Sequence, residues 1–193
     1  MEDRWAGFAT ALESGEPDRV NGVIDEIKAM DLGERLDLFD VCFDEMTEIY
    51  AADDGYVRQS VARVGERLVP TVATVAAVRD PDRPIGADEA TVRYQTDALC
   101  GFFLVAITDD DGRVRKAAKR GLKHVARTYW SLEDEETVAA LGDELKRMAA
   151  EYSGRRREHL LEAKANAETF LEPPMERVIN GLQRKFEESR HTE

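Results

Sequence analysis

Apolar residues recur at three- and four-residue intervals along nearly the whole chain, and no alternating run long enough for a strand interrupts them. Such spacing gathers apolar side chains on one stripe of a helix, a stripe that has to be buried against another helix. The expected class is therefore all-α. A first helix is predicted over 3–12, ended by Ser14-Gly15, and a second starts at Pro17, a residue that suits a first helical turn. The second buries Val20, Val23, Ile24, Ile27 and Met30; a third, after Asp31, buries Leu32, Leu36, Phe39, Phe43, Met46 and Tyr50. Residues 56–68 continue the pattern, and a Pro70-led segment to 78 either kinks that helix or starts another. Two prolines and a glycine make 79–86 a loop. Further helices are predicted over 88–107, 112–129, 133–152, 155–171 and 174–188. Ser131, with Asp134 three residues on, is the expected N-cap of the helix after Trp130, and Gly154 either separates two helices or interrupts one.

At 193 residues the chain suits one domain, 1–193, and a domain this size buries roughly 70% of the surface its unfolded form exposes. Cys42 and Cys100 sit in apolar contexts and read as buried thiols. The opening Met1-Glu2-Asp3-Arg4-Trp5 carries acids where a secretory signal carries bases. The longest apolar run, 99–107, is about half what a bilayer span requires. No membrane span and a cytoplasmic location are therefore expected. Forty acids against 27 bases give a charge of −13, and the bases are 20 Arg to 7 Lys, a balance similar to that of salt-loving archaeal proteins.

The sequence also repeats itself. Asp53-Asp54-Gly55-Tyr56-Val57-Arg58-Gln59-Ser60-Val61-Ala62-Arg63 matches Asp110-Asp111-Gly112-Arg113-Val114-Arg115-Lys116-Ala117-Ala118-Lys119-Arg120 in its acidic pair, glycine, Val-Arg and final Arg. The acids suit the positive end of a helix, the glycine is read as permitting a tight turn, and Val57 and Val114 begin a buried stripe. Weaker echoes lie at Pro17-Asp18-Arg19-Val20-Asn21 and Gly154-Arg155-Arg156-Arg157. The motif resembles the turn and second helix of a HEAT repeat, particularly of the phycobilisome-lyase type. Aligned through Val20, Val57, Val114 and Arg156, the copies lie 37, 57 and 42 residues apart, against a family period of about 40 to 47. The long middle step departs from the pattern, and the insertion 70–86 accounts for it. The resemblance implies a short α-solenoid of HEAT-like helical hairpins over about 1–171, with the last helix capping the stack.

No catalytic constellation stands out, and no cofactor is expected. His124, His159 and His191 are far apart; only His159 has an acid, Glu162, at a helical ligand spacing, and a solvated helix face is the expected setting. Phosphate loops, a serine elbow and an HExxH pair are absent. The acid runs at 109–111 and 133–136 read as helix caps.

The helix after Gly112 is the chemical oddity. From Arg113 to Arg127 it has seven bases and no acid, with Arg113, Lys116, Arg120, Lys123 and Arg127 in one stripe. Arg58, Arg63 and Arg67 stand on the equivalent earlier helix, and Arg155, Arg156 and Arg157 on a later one. The resemblance implies that second helices line a concave face, so Arg58, Arg113, Lys116, Arg120, Lys123, Arg127 and Arg155 form a candidate partner-binding face. One reading is an interaction scaffold that receives an acidic segment of another protein. Another is nucleic-acid binding, since HEAT-like DNA glycosylases cradle DNA on a basic face, though no catalytic residue of theirs has a match in this chain. A third is internal salt bridging to acidic first helices such as that carrying Glu34, Asp37, Asp40, Asp44 and Glu45. Seven phosphate contacts would give a salt slope near about −6, so tenfold more salt would cost about a millionfold in affinity. A salty cytoplasm therefore favours protein over nucleic acid.

Overall fold

A computed structural model describes residues 1–82 and 85–172. Among these residues every regular element is an α-helix: α1 Glu2–Glu13, α2 Pro17–Ala29, α3 Leu32–Tyr50, α4 Gly55–Leu68, α5 Val72–Val78, α6 Glu89–Ala106, α7 Gly112–Ser131, α8 Glu135–Glu151 and α9 Gly154–Glu168. The helix expected over 174–188 lies outside the described residues.

Aspartates start five of these helices. Asp31, Asp54, Asp88, Asp111 and Asp134 are N-caps whose carboxylates accept from backbone amides of the first turn, and Asp31 forms a full capping box with Glu34. The acid-rich turns are thus local helix signals. Ser131 is not the cap of α8, as its sequence position suggests. It remains in α7, where its hydroxyl donates back to the Arg127 carbonyl, and Glu133 at φ +61° makes the turn that leaves Asp134 to cap α8. Gly154, at φ +58°, separates α8 from α9.

Helices pair in chain order as α1/α2, α3/α4, α6/α7 and α8/α9, and the pairs stack. Within the stack α4 lies between α2 and α7, and α7 between α4 and α9, while α1, α3 and α6 follow one another on the other side. This is a solenoid-like arrangement of consecutive helices. Pro70 does not kink α4; it precedes a separate short helix, α5, capped by Thr71 and packed on α6 and α7. With the loop that follows it, α5 is the insertion between the second and third hairpins, where the sequence period is longest.

One continuous core runs through the stack, from Trp5 and Phe8 through Phe39, Val61, Phe103 and Leu122 to Leu145 and Leu160. Burial in α3 is broader than a single stripe: Leu38, Cys42 and Ile49 are buried beside Leu36, Phe39 and Met46, because α1, α4 and α6 all pack on it. Phe103 of α6 is fully buried against Gly65 of α4 and Gly121 of α7. A Cβ at Gly121 would overlap its ring, so the close approach of α6 and α7 depends on that glycine.

Candidate functional site

The two Asp-Asp-Gly-x-Val-Arg copies adopt the same local construction. Asp54 and Asp111 each cap the amide two residues on, at 2.7 Å to Tyr56 N and 2.8 Å to Arg113 N. Val57 and Val114 are buried, as the repeat predicts. The arginine after each valine turns back on the preceding turn. Arg58 Nη1 donates to the carbonyls of Ala52 (3.0 Å) and Asp53 (2.7 Å); Arg115 Nη1 donates to those of Asp109 (2.6 Å) and Asp110 (2.8 Å), the same two offsets. These carbonyls lie in the turns beyond α3 and α6, so each guanidinium satisfies backbone acceptors outside the helical ladders.

Each of these arginines then crosses to the next hairpin. Arg58 grips the Asp109 carboxylate through Nε (2.8 Å) and Nη2 (3.2 Å) and reaches Asp110 at 2.8 Å. Tyr50 Oη also donates to Asp109, at 2.8 Å. Burial pushes the Asp109 carboxyl up, but hydrogen bonds from Arg58, the Asp111 amide and Tyr50 more than reverse this and leave it below its ordinary value. Arg115, only 7% exposed, donates from Nε to His159 Nδ1 on α9 at 3.1 Å. His159 is therefore a buried acceptor, not a member of a solvated face. Burial, joined by the charges of Arg115 and Lys119, pushes its pKa down and favours the neutral ring.

The glycine of each motif has a role other than the tight turn that its sequence position suggests. Neither Gly55 nor Gly112 has positive φ. A Cβ on Gly55 would overlap the Asp111 carboxylate, and one on Gly112 would come within 3.3 Å of Arg115 Nη2. Both admit the polar groups of the ladder to the backbone. Arg113 completes it: its guanidinium chelates Asp111, holding that carboxyl down to about 2, and stacks 3.7 Å over the Tyr56 ring.

Arg58 and Arg113 from the candidate face are thus committed to the joint between hairpins. The rest of the α7 stripe is open. Lys116, Arg120, Lys123 and Arg127 are exposed, spaced over 11 residues or about 16 Å of helix. The ion pairs that α7 does make run to α4, to α9 and to its own cap, not to the acids of α3: Arg120 to Glu66 at 3.0 Å, Lys119 to Glu162, Arg113 to Asp111. Lys116, Lys123 and Arg127 make no ion pair among the described residues. Arg155 is highly exposed and pairs with Glu158 of its own helix.

Neighbouring α4 adds Arg63 and Arg67. Arg63 donates to Asn21 of α2 at 2.7 Å, and its pKa is lowered by burial and by the positive charges of Arg120 and Arg67. This concentration of like charge surrounds one buried carboxylate, Glu66, which Arg120 and Arg67 approach from two sides. Nothing in the local sequence, Arg63-Val64-Gly65-Glu66-Arg67, marked Glu66 as buried.

Where α7 passes α5 the surface opens into a cavity of about 520 Å³, lined by Val69, Pro70, Val72, Ala73 and Ala76 with His124, Arg127 and Thr128 at its side. Burial, with Arg67 and Arg127 adding and Glu66 opposing, lowers the His124 pKa and favours a neutral imidazole. Trp5 and Tyr129 are in the core, donating to Glu45 (2.6 Å) and Asp97 (2.7 Å), and Trp130 is half-buried against Phe170. Both cysteines are free thiols, Cys42 buried and Cys100 half-buried.

Among the described residues no group of three or more His, Cys, Asp or Glu is placed to hold a metal ion, and no helix is long and apolar enough to cross a membrane. No family model matches the chain, and neither a curated protein nor a solved structure is significantly similar to it.

Proposed function

We propose that this chain is a non-catalytic interaction scaffold of HEAT-like type, acting in the cytoplasm, whose basic second-helix face receives an acidic segment of another protein. One observation carries the reading. Lys116, Lys123 and Arg127 are exposed and unpaired among the described residues, beside Arg63, Arg67 and Arg120, in a chain of charge −13. Concentrated like charge destabilises the fold by repulsion and attracts opposite charge in an encounter. The paired helices and the arginines repeated at equal offsets support the HEAT-like part, and the acid-rich, lysine-poor composition supports a salty cytoplasm.

The test is capture from the protein's own cell lysate at native salt, with and without nuclease, using the wild type and a Lys116→Glu/Lys123→Glu/Arg127→Glu variant. A defined protein that survives nuclease and is lost with the variant is the expected result. Equal capture by the variant rejects the basic face, and loss of all signal on nuclease treatment redirects the same face to nucleic acid.

A further inference from the structure

Resting on that reading, we infer that the acidic partner segment is amphipathic: its carboxylates run along the α7 stripe and a large apolar side chain seats in the cavity between α5 and α7. The cavity is continuous with the stripe, because Arg127 belongs to both. Its floor is mostly apolar, Val69, Pro70, Val72, Ala73 and Ala76 with Thr71 among them, and α5 leaves Val72, Ala73 and Ala76 exposed to solvent. A volume of about 520 Å³ is ample for a leucine or phenylalanine side chain.

Charge complementarity selects the occupant. Arg127, which makes no ion pair among the described residues, borders the apolar floor, and Lys123 stands one turn before it on the stripe, so a ligand matched to the surface carries negative charge on one part and hydrocarbon on an adjacent part. A lone organic acid at Arg127 would leave Lys116 and Lys123, about 10 Å of helix apart, unmatched. Nucleic acid would satisfy the bases and leave the cavity empty. An amphipathic helix with acids at three- and four-residue intervals and an apolar side chain near one end satisfies both.

Two fluorescein-labelled helical peptides of about four turns test this by anisotropy. Both carry glutamates at that spacing; one ends in Leu-Phe and the other in Ala-Ala. The Leu-Phe peptide is expected to bind at least tenfold tighter, as burial of large apolar side chains requires. The gap should persist from about 0.15 M to about 2 M KCl, while the part common to both peptides weakens with screening. An Ala73→Gln/Ala76→Gln variant, with wild-type circular dichroism, should abolish the gap and leave the Ala-Ala peptide unaffected. Lys123→Glu/Arg127→Glu should weaken both peptides at least tenfold.

Equal binding of the two peptides to the wild type, with sensitivity to charge reversal retained, overturns the cavity's role and leaves the basic face standing. Failure of both to bind, or indifference to charge reversal, overturns both readings. A labelled DNA duplex binding tighter than the Leu-Phe peptide would do the same.

Discussion

Arg58 and Arg115 occupy the same place in two copies of one motif, yet they cross to different chemistry. Both use Nη1 to close the turn behind them on two carbonyls. Beyond that, Arg58 finds two carboxylates at a partly open edge, whereas Arg115 finds a neutral imidazole in the interior. The turn fixes what the motif needs locally, and the next hairpin decides what the free edge of the guanidinium meets. Position in the motif thus predicts the staple but not its partner.

The sharpest way to break the pair is to remove each guanidinium while keeping the apolar stem. Arg115→Met leaves the buried His159 acceptor without its donor and removes both turn contacts, though Asp109 O keeps Arg156 Nε at 3.3 Å, and should cost about 3 kcal/mol in urea unfolding, with an unchanged m-value. Arg58→Met loses a charge-assisted bidentate contact, but Asp109 keeps the Tyr50 hydroxyl and the Asp111 amide as donors, so about 2 kcal/mol is expected in the same measurement. An Arg58 cost exceeding that of Arg115 would overturn the ranking by burial.

The glycines sharpen the contrast at smaller scale. Gly55→Ala drives a methyl group into the Asp111 carboxylate held by Arg113, and about 1 kcal/mol of destabilisation should remain after the helix-propensity gain of alanine. Gly112→Ala meets only the end of a long arginine side chain and should be neutral within about 0.5 kcal/mol. Thermal melts of the two variants side by side decide the point.

The smallest effect separates the staples by pH. His159 is held neutral with a lowered pKa, so the unfolded chain binds more protons as pH falls below the ordinary imidazole value of about 6.5, and stability declines there. Asp109 is lowered as well, but its contribution stays complete above its ordinary value of 3.8 and is lost only as pH falls through its folded value. A melting series from about pH 7 down to about pH 5 should therefore show a slope that His159→Gln reduces, with His124 supplying the remainder, and that Arg58→Met leaves in place. A slope unaffected by His159→Gln would exclude its neutral role.

Periodicity carried the helices among the described residues, because a stripe every three or four residues can be satisfied in few ways, and the internal repeat carried the buried Val57 and Val114. What one sequence cannot display is the neighbour across a joint. Arg58 and Arg113 read as members of an open basic face, and His159 as solvated, until the adjoining turn supplied Asp109 and Asp111 and α7 supplied Arg115. Lys116, Lys123 and Arg127 were legible because their surroundings are water. Ser131 misled for a related reason: a hydroxyl that suits a cap also suits the last turn of the preceding helix, and the chain's path chose the second.

Phe103 shows how residues distant in the chain can share one inheritance. Its ring fills the space that Gly121 leaves and rests against Gly65, so any enlargement at 121 has nowhere to go while the ring remains. A lineage of this protein can gain a side chain at 121 only after residue 103 has become smaller, and the order of those two changes is fixed by geometry.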